Sequence, residues 1–284
     1  MTGKRRGGEN MALRAGKRQS VIADPMDDAG KKYGLPFEEV RRVNPWERWM
    51  SHATTGQFAS LKGGFVRHCG PTAITNIITT LNKRYHYLVK ESGQRREPAP
   101  SGYFPSQAEI FEKVSELGIR KRFYWNMDVL KRFGGTYDLL TGFYLKNCFR
   151  YYGIPYRMSL SGIQGKNRLP RDRWQASKPE VVVKSVIPVR KEQYLRSLRR
   201  GNLLYLQLHH HPCYGSHHLV CYGYVEVAAR GGICDGQENC RKTYLIVADG
   251  WTHALRYLDT SGIGLCRYYE IGVPGERSET FFLA

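Results

Sequence analysis

Three separated segments of this 284-residue chain carry side chains that together could perform nucleophilic catalysis. Cys69 begins a segment with helical apolar spacing, His217 opens a β-like segment, and Asp249 ends the next β-like segment. A helix N-terminus and a nearby imidazole both favour the thiolate form of a cysteine, which is the nucleophile. The imidazole needs a partner on its second nitrogen to fix its tautomer, and a carboxylate suits that role. These residue types in this order indicate acyl transfer through a cysteine thioester.

The elements that must position these residues follow from the apolar pattern of the chain. Segments with one apolar face predict helices at 69–81, 107–117, 141–151 and 191–200. After Gly201, segments rich in β-branched, aromatic and leucine residues predict strands at 203–208, 218–227, 243–251 and 266–272. Helices followed by strands indicate an α+β protein, in which a helical half packs on an antiparallel sheet half. A cleft between two such halves is a natural place for a site.

The sequence around these positions resembles that of papain-like cysteine peptidases, and among them the bacterial C39-like group. Those enzymes carry Cys-Gly-Pro-Thr or Cys-Gly-Pro-Ala at the start of the central helix, and this chain has Cys69-Gly-Pro-Thr-Ala. Their catalytic histidine is followed by a glycine six residues on, as His217 is followed by Gly223. Their strand-end motif Tyr-Ile-x-Ile-x-Asn-Ser-Trp is similar to residues 244–251, Tyr-Leu-Ile-Val-Ala-Asp-Gly-Trp.

The resemblance implies a papain-like fold, with a central catalytic helix packed on an antiparallel sheet, and a single peptidase domain over residues 41–284. It implies peptide-bond hydrolysis with Cys69 as nucleophile, His217 as general base and acid, and Asp249 as the orienting group. It implies no cofactor. The residues that it assigns to shaping the site are Gly70, His218 and Trp251. In the family, the tryptophan covers the hydrogen bond between the histidine and its partner from water.

Two positions leave the assignment of roles open. The glutamine that usually lies about six residues before the cysteine, and helps to form the oxyanion hole, is replaced here by Gly63. Gln57 is the nearest upstream glutamine, and we take it as the candidate oxyanion donor. His218 competes with His217 for the role of base, because strand alternation lets only one of two neighbours face the site. The spacing to Gly223 favours His217.

Two other functions are compatible with the sequence. An acyltransferase of transglutaminase type would use the same thioester and pass the acyl group to an amine. A catalytically inactive papain-like module would bind a partner through its basic surface, which the net charge of +19 and the missing glutamine favour. The expected partner is a peptide or protein, and the charge favours an acidic one. Nucleic-acid binding is not expected, because no aromatic-interleaved RNA motif and no zinc-finger spacing accompanies the basic stretches 1–22 and 166–200.

The remaining features concern metal binding, compartment and the termini. Segment 209–218 holds five His and one Cys, but its spacing defines no tetrahedral site, and we expect no metal. Residues 1–40 are basic at their start and are expected to form a flexible extension. Without an apolar run of eighteen residues or a signal peptide, a cytoplasmic location with reduced thiols is expected. Cys234 and Cys240 are then expected to be thiols, with a disulfide as the alternative if the protein is exported.

Overall fold

A large mixed sheet with helices packed on it forms the centre of this α+β protein. The computed structural model describes residues 21–58, 61, 67–88, 105–125, 135–160, 163–166, 178–186, 191–230, 241–263 and 267–274. The expectations for residues 1–20, for much of the basic stretch 166–200, and for Cys234 and Cys240 fall outside these ranges.

The helices confirm the segments predicted from apolar periodicity. Within the described ranges they are α1 (Pro25–Tyr33), α2 (Thr55–Phe58), α3 (Cys69–Tyr85), α4 (Gln107–Arg120), α5 (Thr141–Tyr151) and α6 (Lys191–Arg199). Helix α4 begins with a reciprocal capping box between Ser106 and Glu109, and this arrangement satisfies backbone N–H groups at its start. The helical segments therefore begin and end close to the predicted positions.

Helix α1 lies inside the stretch that the sequence analysis assigned to a flexible extension. The side chain of Asp24 accepts hydrogen bonds from the backbone N–H groups of Met26 and Asp27, and Pro25 occupies the first turn. Gly34 closes the helix in the left-handed conformation, with φ of 69°. Residues 25–40 are therefore folded rather than flexible, because local capping fixes the helix and β1 pairs the following segment with the sheet.

The strands form one nine-stranded sheet and one separate pair among the described residues. They are β1 (Phe37–Val43), β2 (Tyr124–Trp125), β3 (Gly135–Thr136), β4 (Tyr156–Leu160), β5 (Ile163–Lys166), β6 (Val181–Val186), β7 (Leu203–His211), β8 (Gly215–Ala229), β9 (Arg241–Ala248), β10 (Arg256–Asp259) and β11 (Tyr268–Gly272). The large sheet runs β10-β9-β8-β7-β11-β6-β4-β5, β1 also pairs with β8, and β2 pairs with β3. The predicted strands are confirmed, but β4 and β6 are parallel, so the sheet is mixed rather than antiparallel throughout.

Both faces of the central strands are buried. On one face, Tyr205, Val220 and Tyr222 belong to the core that includes the apolar residues of α3. On the other face, Leu204 and Leu219 pack in a second core with apolar residues of α6. Burial on both faces explains why β7 and β8 are continuous apolar runs rather than alternating ones.

Gly223 has a structural role in β8. The register with β9 is shifted between Cys221 and Gly223, which marks a bulge in the strand. A Cβ atom at Gly223 would lie 2.5 Å from the carbonyl oxygen of Val43 and 3.1 Å from the Cα atom of Asn44. The absence of a side chain therefore lets the end of β1 lie directly against β8.

Replacing Gly223 with alanine should destabilise the fold by about 1–3 kcal/mol, because the new methyl group meets backbone that cannot rotate away. The measurement is the midpoint of urea unfolding, followed by circular dichroism. Gly56→Ala is the matched control, since its Cβ would meet its nearest neighbour at an ordinary 3.9 Å. Equal midpoints for Gly223→Ala and the unmodified chain would contradict the packing argument.

Candidate active site

A groove of about 620 Å³ lies where the N-terminus of α3 meets the first residues of β8 and the short strand β3. Its walls carry Cys69, His217 and His218, so residues far apart in the sequence face one space. The other lining residues are Thr55, Arg67, His68, Gly135, Thr136, Asp138, Leu208, His209, Tyr214, Ser216 and Trp251. The groove therefore combines a thiol with imidazoles, as expected from the sequence.

Cys69 is the first residue of α3. The first backbone hydrogen bond of the helix runs from the N–H of Thr72 to the carbonyl of His68, at 3.0 Å. The N–H groups of Cys69 and Gly70 precede it and have no intrahelical carbonyl partner. Burial raises the pKa of the Cys69 thiol, while the N–H groups of His218, Gly70 and Cys69 oppose this increase. The thiol is thus protonated at rest, but hydrogen-bond donors surround the position where negative charge would form.

His217 is almost completely buried, at 4% exposure, and its tautomer follows from one hydrogen bond. Its Nε2 atom lies 2.6 Å from the carbonyl oxygen of Asp249. A carbonyl oxygen can only accept, so Nε2 carries the hydrogen and Nδ1 of the neutral ring keeps its lone pair. Burial lowers the pKa of His217 to about 4. At neutral pH, the ring is therefore an uncharged base with its acceptor nitrogen at Nδ1.

Two aromatic rings hold this imidazole in place. Tyr214 lies parallel to His217 with ring centroids 5.4 Å apart, and Trp251 lies against it at 4.9 Å. Tyr214 and Trp251 also touch each other, at 4.8 Å. Trp251 is 44% exposed and forms an edge of the groove. The rings exclude water from the hydrogen bond between His217 and Asp249, which explains the strong desolvation of the imidazole.

The carboxylate of Asp249 is used differently from the sequence-based expectation. One oxygen accepts from the backbone N–H of Trp251 at 2.9 Å and of Thr252 at 3.1 Å. The other oxygen accepts from the Tyr214 hydroxyl at 3.3 Å. Gly250, with φ of 72°, turns the chain so that the side chain of Asp249 folds back on the turn. The backbone carbonyl therefore contacts His217, while the carboxylate fixes the two aromatic rings.

His218 faces the α3 side of the sheet, on the same strand face as Val220. Its Nδ1 atom lies 2.8 Å from the Tyr205 hydroxyl, and its Nε2 atom lies 3.1 Å from Asp138 Oδ1. Both ring nitrogens are thus engaged. The imidazole of His218 keeps no open lone pair for a proton from Cys69, whereas that of His217 does.

Gln57 does not line the groove. It lies in the short helix α2, and its amide donates to the side chain of Gln107 on α4, at 3.4 Å. Thr136 instead packs directly against Gly70, where a Cβ atom would overlap its side chain. Gly70 thus shapes the site by admitting β3 to the start of α3. The donors that the structure brings to the sulfur are backbone N–H groups.

The sequence pointed to neither Asp138 nor Tyr214, which line the groove, nor to Tyr205, which contacts His218 behind it. Tyr205 had a detectable signal, because alternation along β7 puts it on one face with Gln207, the polar residue within the buried part of that strand. Tyr214 lies three residues before His217, but only the turn between β7 and β8 brings the two rings into a stack. Asp138 reaches the site through tertiary contacts, and no local spacing connects it to Cys69.

Two kinds of site were sought in the described ranges, namely a cluster of metal-ligating side chains and a membrane-spanning helix. No three His, Cys, Asp or Glu side chains there lie close enough together to hold a metal ion. Within the histidine-rich segment, His209 binds Asp138 at 3.1 Å, and Nδ1 of His211 accepts from the N–H groups of Cys213 and Tyr214. Of the helices described, none combines the length and the apolar character needed to cross a bilayer.

Comparison with known proteins gives no relative for this chain. No family model matches its sequence, no curated protein matches it, and no solved structure matches its fold. Evidence about function therefore comes from the geometry of the groove.

The roles of the Asp249 carbonyl and carboxylate lead to a test with two substitutions. Asp249→Asn keeps an oxygen for the N–H groups of Trp251 and Thr252, so alkylation of Cys69 by iodoacetamide at pH 7 should change little. Asp249→Ala removes this acceptor and should change the alkylation rate by about tenfold, because the aromatic rings lose their anchor. Mass spectrometry of the Cys69 peptide provides the rates. A large change in Asp249→Asn would show that the negative charge, rather than the turn, supports His217.

Proposed function

We propose that this protein is a papain-like thiol hydrolase that cleaves peptide bonds through a thioester on Cys69. The observation that carries the proposal is the hydrogen bond from His217 Nε2 to the Asp249 carbonyl at 2.6 Å. It leaves Nδ1 as a base in the groove that Cys69 lines. The helix N-terminus at Cys69 and the ring of Trp251 over His217 support the same function.

The reaction would proceed in two acyl transfers. The Cys69 sulfur attacks the carbonyl carbon of the peptide as its proton passes to Nδ1 of His217. Backbone N–H groups at the start of α3 stabilise the resulting oxyanion. The intermediate collapses, the C–N bond breaks, and the imidazolium gives its proton to the leaving amine. A water molecule, deprotonated by the same nitrogen, then hydrolyses the thioester and restores the thiol.

The resting state would be a neutral pair. Burial raises the pKa of the Cys69 thiol and lowers that of His217 to about 4, so neither group is charged at pH 7. His217 then acts as a general base during the attack, rather than as an imidazolium beside a preformed thiolate. Among the described cysteines, Cys69, Cys148 and Cys213 are thiols, which suits a reducing compartment such as the cytoplasm.

Acylation of Cys69 by p-nitrophenyl acetate tests the proposal without knowledge of the natural substrate. His217→Ala should lower the acylation rate by about 10²–10⁴, because the sulfur loses its proton acceptor. His253→Ala is the matched control, since His253 is exposed and bonds to the carbonyl of His52 instead of lining the groove. Release of p-nitrophenolate and the mass of the acetylated peptide are measured together.

Turnover on a protein substrate completes this test. Casein should be cleaved by the unmodified chain and not by Cys69→Ala. Equal acylation of His217→Ala and the unmodified chain would overturn the assignment of the base. Acylation without cleavage, combined with incorporation of an added amine, would show transfer rather than hydrolysis.

The pH dependence of acylation should report the titration of His217. Below its pKa, the ring is protonated and Nδ1 has no lone pair, so the rate should fall as the pH drops through about 4. The pH–rate profile of acylation, measured down to about pH 3, checks this expectation. A fall in the acylation rate near pH 6.5, the ordinary pKa of histidine, would show that the acting imidazole is exposed to water.

A further inference from the structure

We propose that Asp138 is a positioning residue of this site, which holds the first part of β8 against Cys69 through the imidazole of His218. The inference rests on the function proposed above and adds a carboxylate–imidazole pair to the site, whereas His217 contacts a backbone carbonyl. Asp138 lies in a 3₁₀ turn, Asp138–Leu140, that follows β3. It lines the groove together with Cys69.

The Asp138 carboxylate bridges two neighbouring strands. Oδ1 accepts from Nε2 of His218 on β8, and Oδ2 accepts from Nε2 of His209 on β7, both at 3.1 Å. The Asp138 side chain is 35% exposed, whereas that of His218 is only 8% exposed. The hydrogen bond to His218 is therefore better shielded from water than the one to His209, whose side chain is 38% exposed.

The second ring nitrogen of His218 is also hydrogen-bonded. Because Nε2 donates to a carboxylate, Nδ1 of the neutral ring accepts from the Tyr205 hydroxyl, at 2.8 Å. Burial raises the pKa of Tyr205 well above its ordinary value, so this hydroxyl stays protonated. Two hydrogen bonds thus fix the ring, and with it the backbone of His218, whose N–H group faces the sulfur of Cys69. The adjacent residue is His217. The same two hydrogen bonds therefore position both the backbone N–H donor of His218 and the proposed base, His217.

Asp138 is itself held from the opposite side. Nε2 of Gln207 donates to the backbone carbonyl of Asp138 at 2.9 Å and to the Thr141 hydroxyl at 2.7 Å. Two residues before Asp138, Thr136 packs against Gly70 at the start of α3. Segment 135–141 therefore spans from the helix that carries the thiol to the strands that carry the histidines. Through these contacts, segment 135–141 fixes the distance between Cys69, the proposed nucleophile, and His217, the proposed base.

The negative charge of Asp138 has a separate effect on the thiol. Burial opposes ionisation of Asp138, but the hydrogen bond from His218 and the basic groups near this carboxyl outweigh it and hold its pKa below the ordinary value. Burial is the main cause that raises the pKa of Cys69, and the charge of Asp138 adds to it. The titratable or charged groups that face Asp138 are Cys69, Tyr205, His209, His218, Arg267 and Tyr269.

Two readouts separate the positional effect from the charge effect. Asp138→Asn should move the pH midpoint of Cys69 alkylation by iodoacetamide to lower pH, because a negative charge is removed. The same variant should be acylated by p-nitrophenyl acetate about 10–100-fold more slowly, because β8 loses its anchor. Glu116→Gln is the matched control, since it neutralises a carboxylate on α4 that pairs with Lys113 outside the groove. It should change neither quantity.

Two further variants keep the test decisive if Asp138→Asn fails to fold. His218→Gln retains the charge of Asp138, so acylation should slow without a downward shift of the alkylation midpoint. Tyr205→Phe removes one hydroxyl and should slow acylation by a smaller factor. Normal acylation in both variants would overturn the positioning role. An unchanged alkylation midpoint in folded Asp138→Asn would overturn the charge effect. If the unmodified chain is not acylated while the midpoint shifts in Asp138→Asn, the proposed function fails and the placement of Asp138 beside Cys69 stands.

Discussion

The packing of α3 across the central strands of the sheet is the contact on which the site depends. Ile74, Ile77 and Ile78 of the helix share one core with Val220 and Tyr222 of β8. This packing brings the first turn of the helix to the first residues of the strand, where the thiol meets backbone N–H groups. A shift of β8 by one residue would exchange its two faces and move the paired histidines to the wrong sides of the groove. The register of β8 therefore constrains the composition of the groove as well as the packing of the sheet.

Burial determines the electrostatics of the groove. A thiolate and an imidazolium together would need to be solvated or firmly paired, and the rings of Tyr214 and Trp251 keep water from the histidine. The site thus holds Cys69 and His217 as neutral groups. In the proposed reaction, the N–H groups near the sulfur would act mainly when negative charge develops, which is when stabilisation accelerates a step.

Local sequence patterns predicted the parts of the fold that depend on neighbours in the chain. Apolar periodicity was sufficient for α3, and the spacing from His217 to Gly223 marked the strand that carries the histidines. Composition misled for residues 25–40, because lysines and glycines suggested a mobile extension although Asp24 and Gly34 cap a helix. The parallel pairing of β4 with β6 and the approach of Asp138 to the groove depend on tertiary contacts, which a single sequence does not encode in any local spacing.

The two adjacent histidines show why residue type alone could not assign roles at this site. Strand alternation places them on opposite faces of β8, and both line one groove while having different partners. His217 donates from Nε2 to a backbone carbonyl oxygen. Because this oxygen can only accept, the hydrogen of the neutral ring is on Nε2, and Nδ1 stays basic. His218 donates to a carboxylate and accepts from a hydroxyl, so its ring is saturated. The ring with an unfilled acceptor can take part in proton transfer, and the saturated ring can hold the strand that carries it.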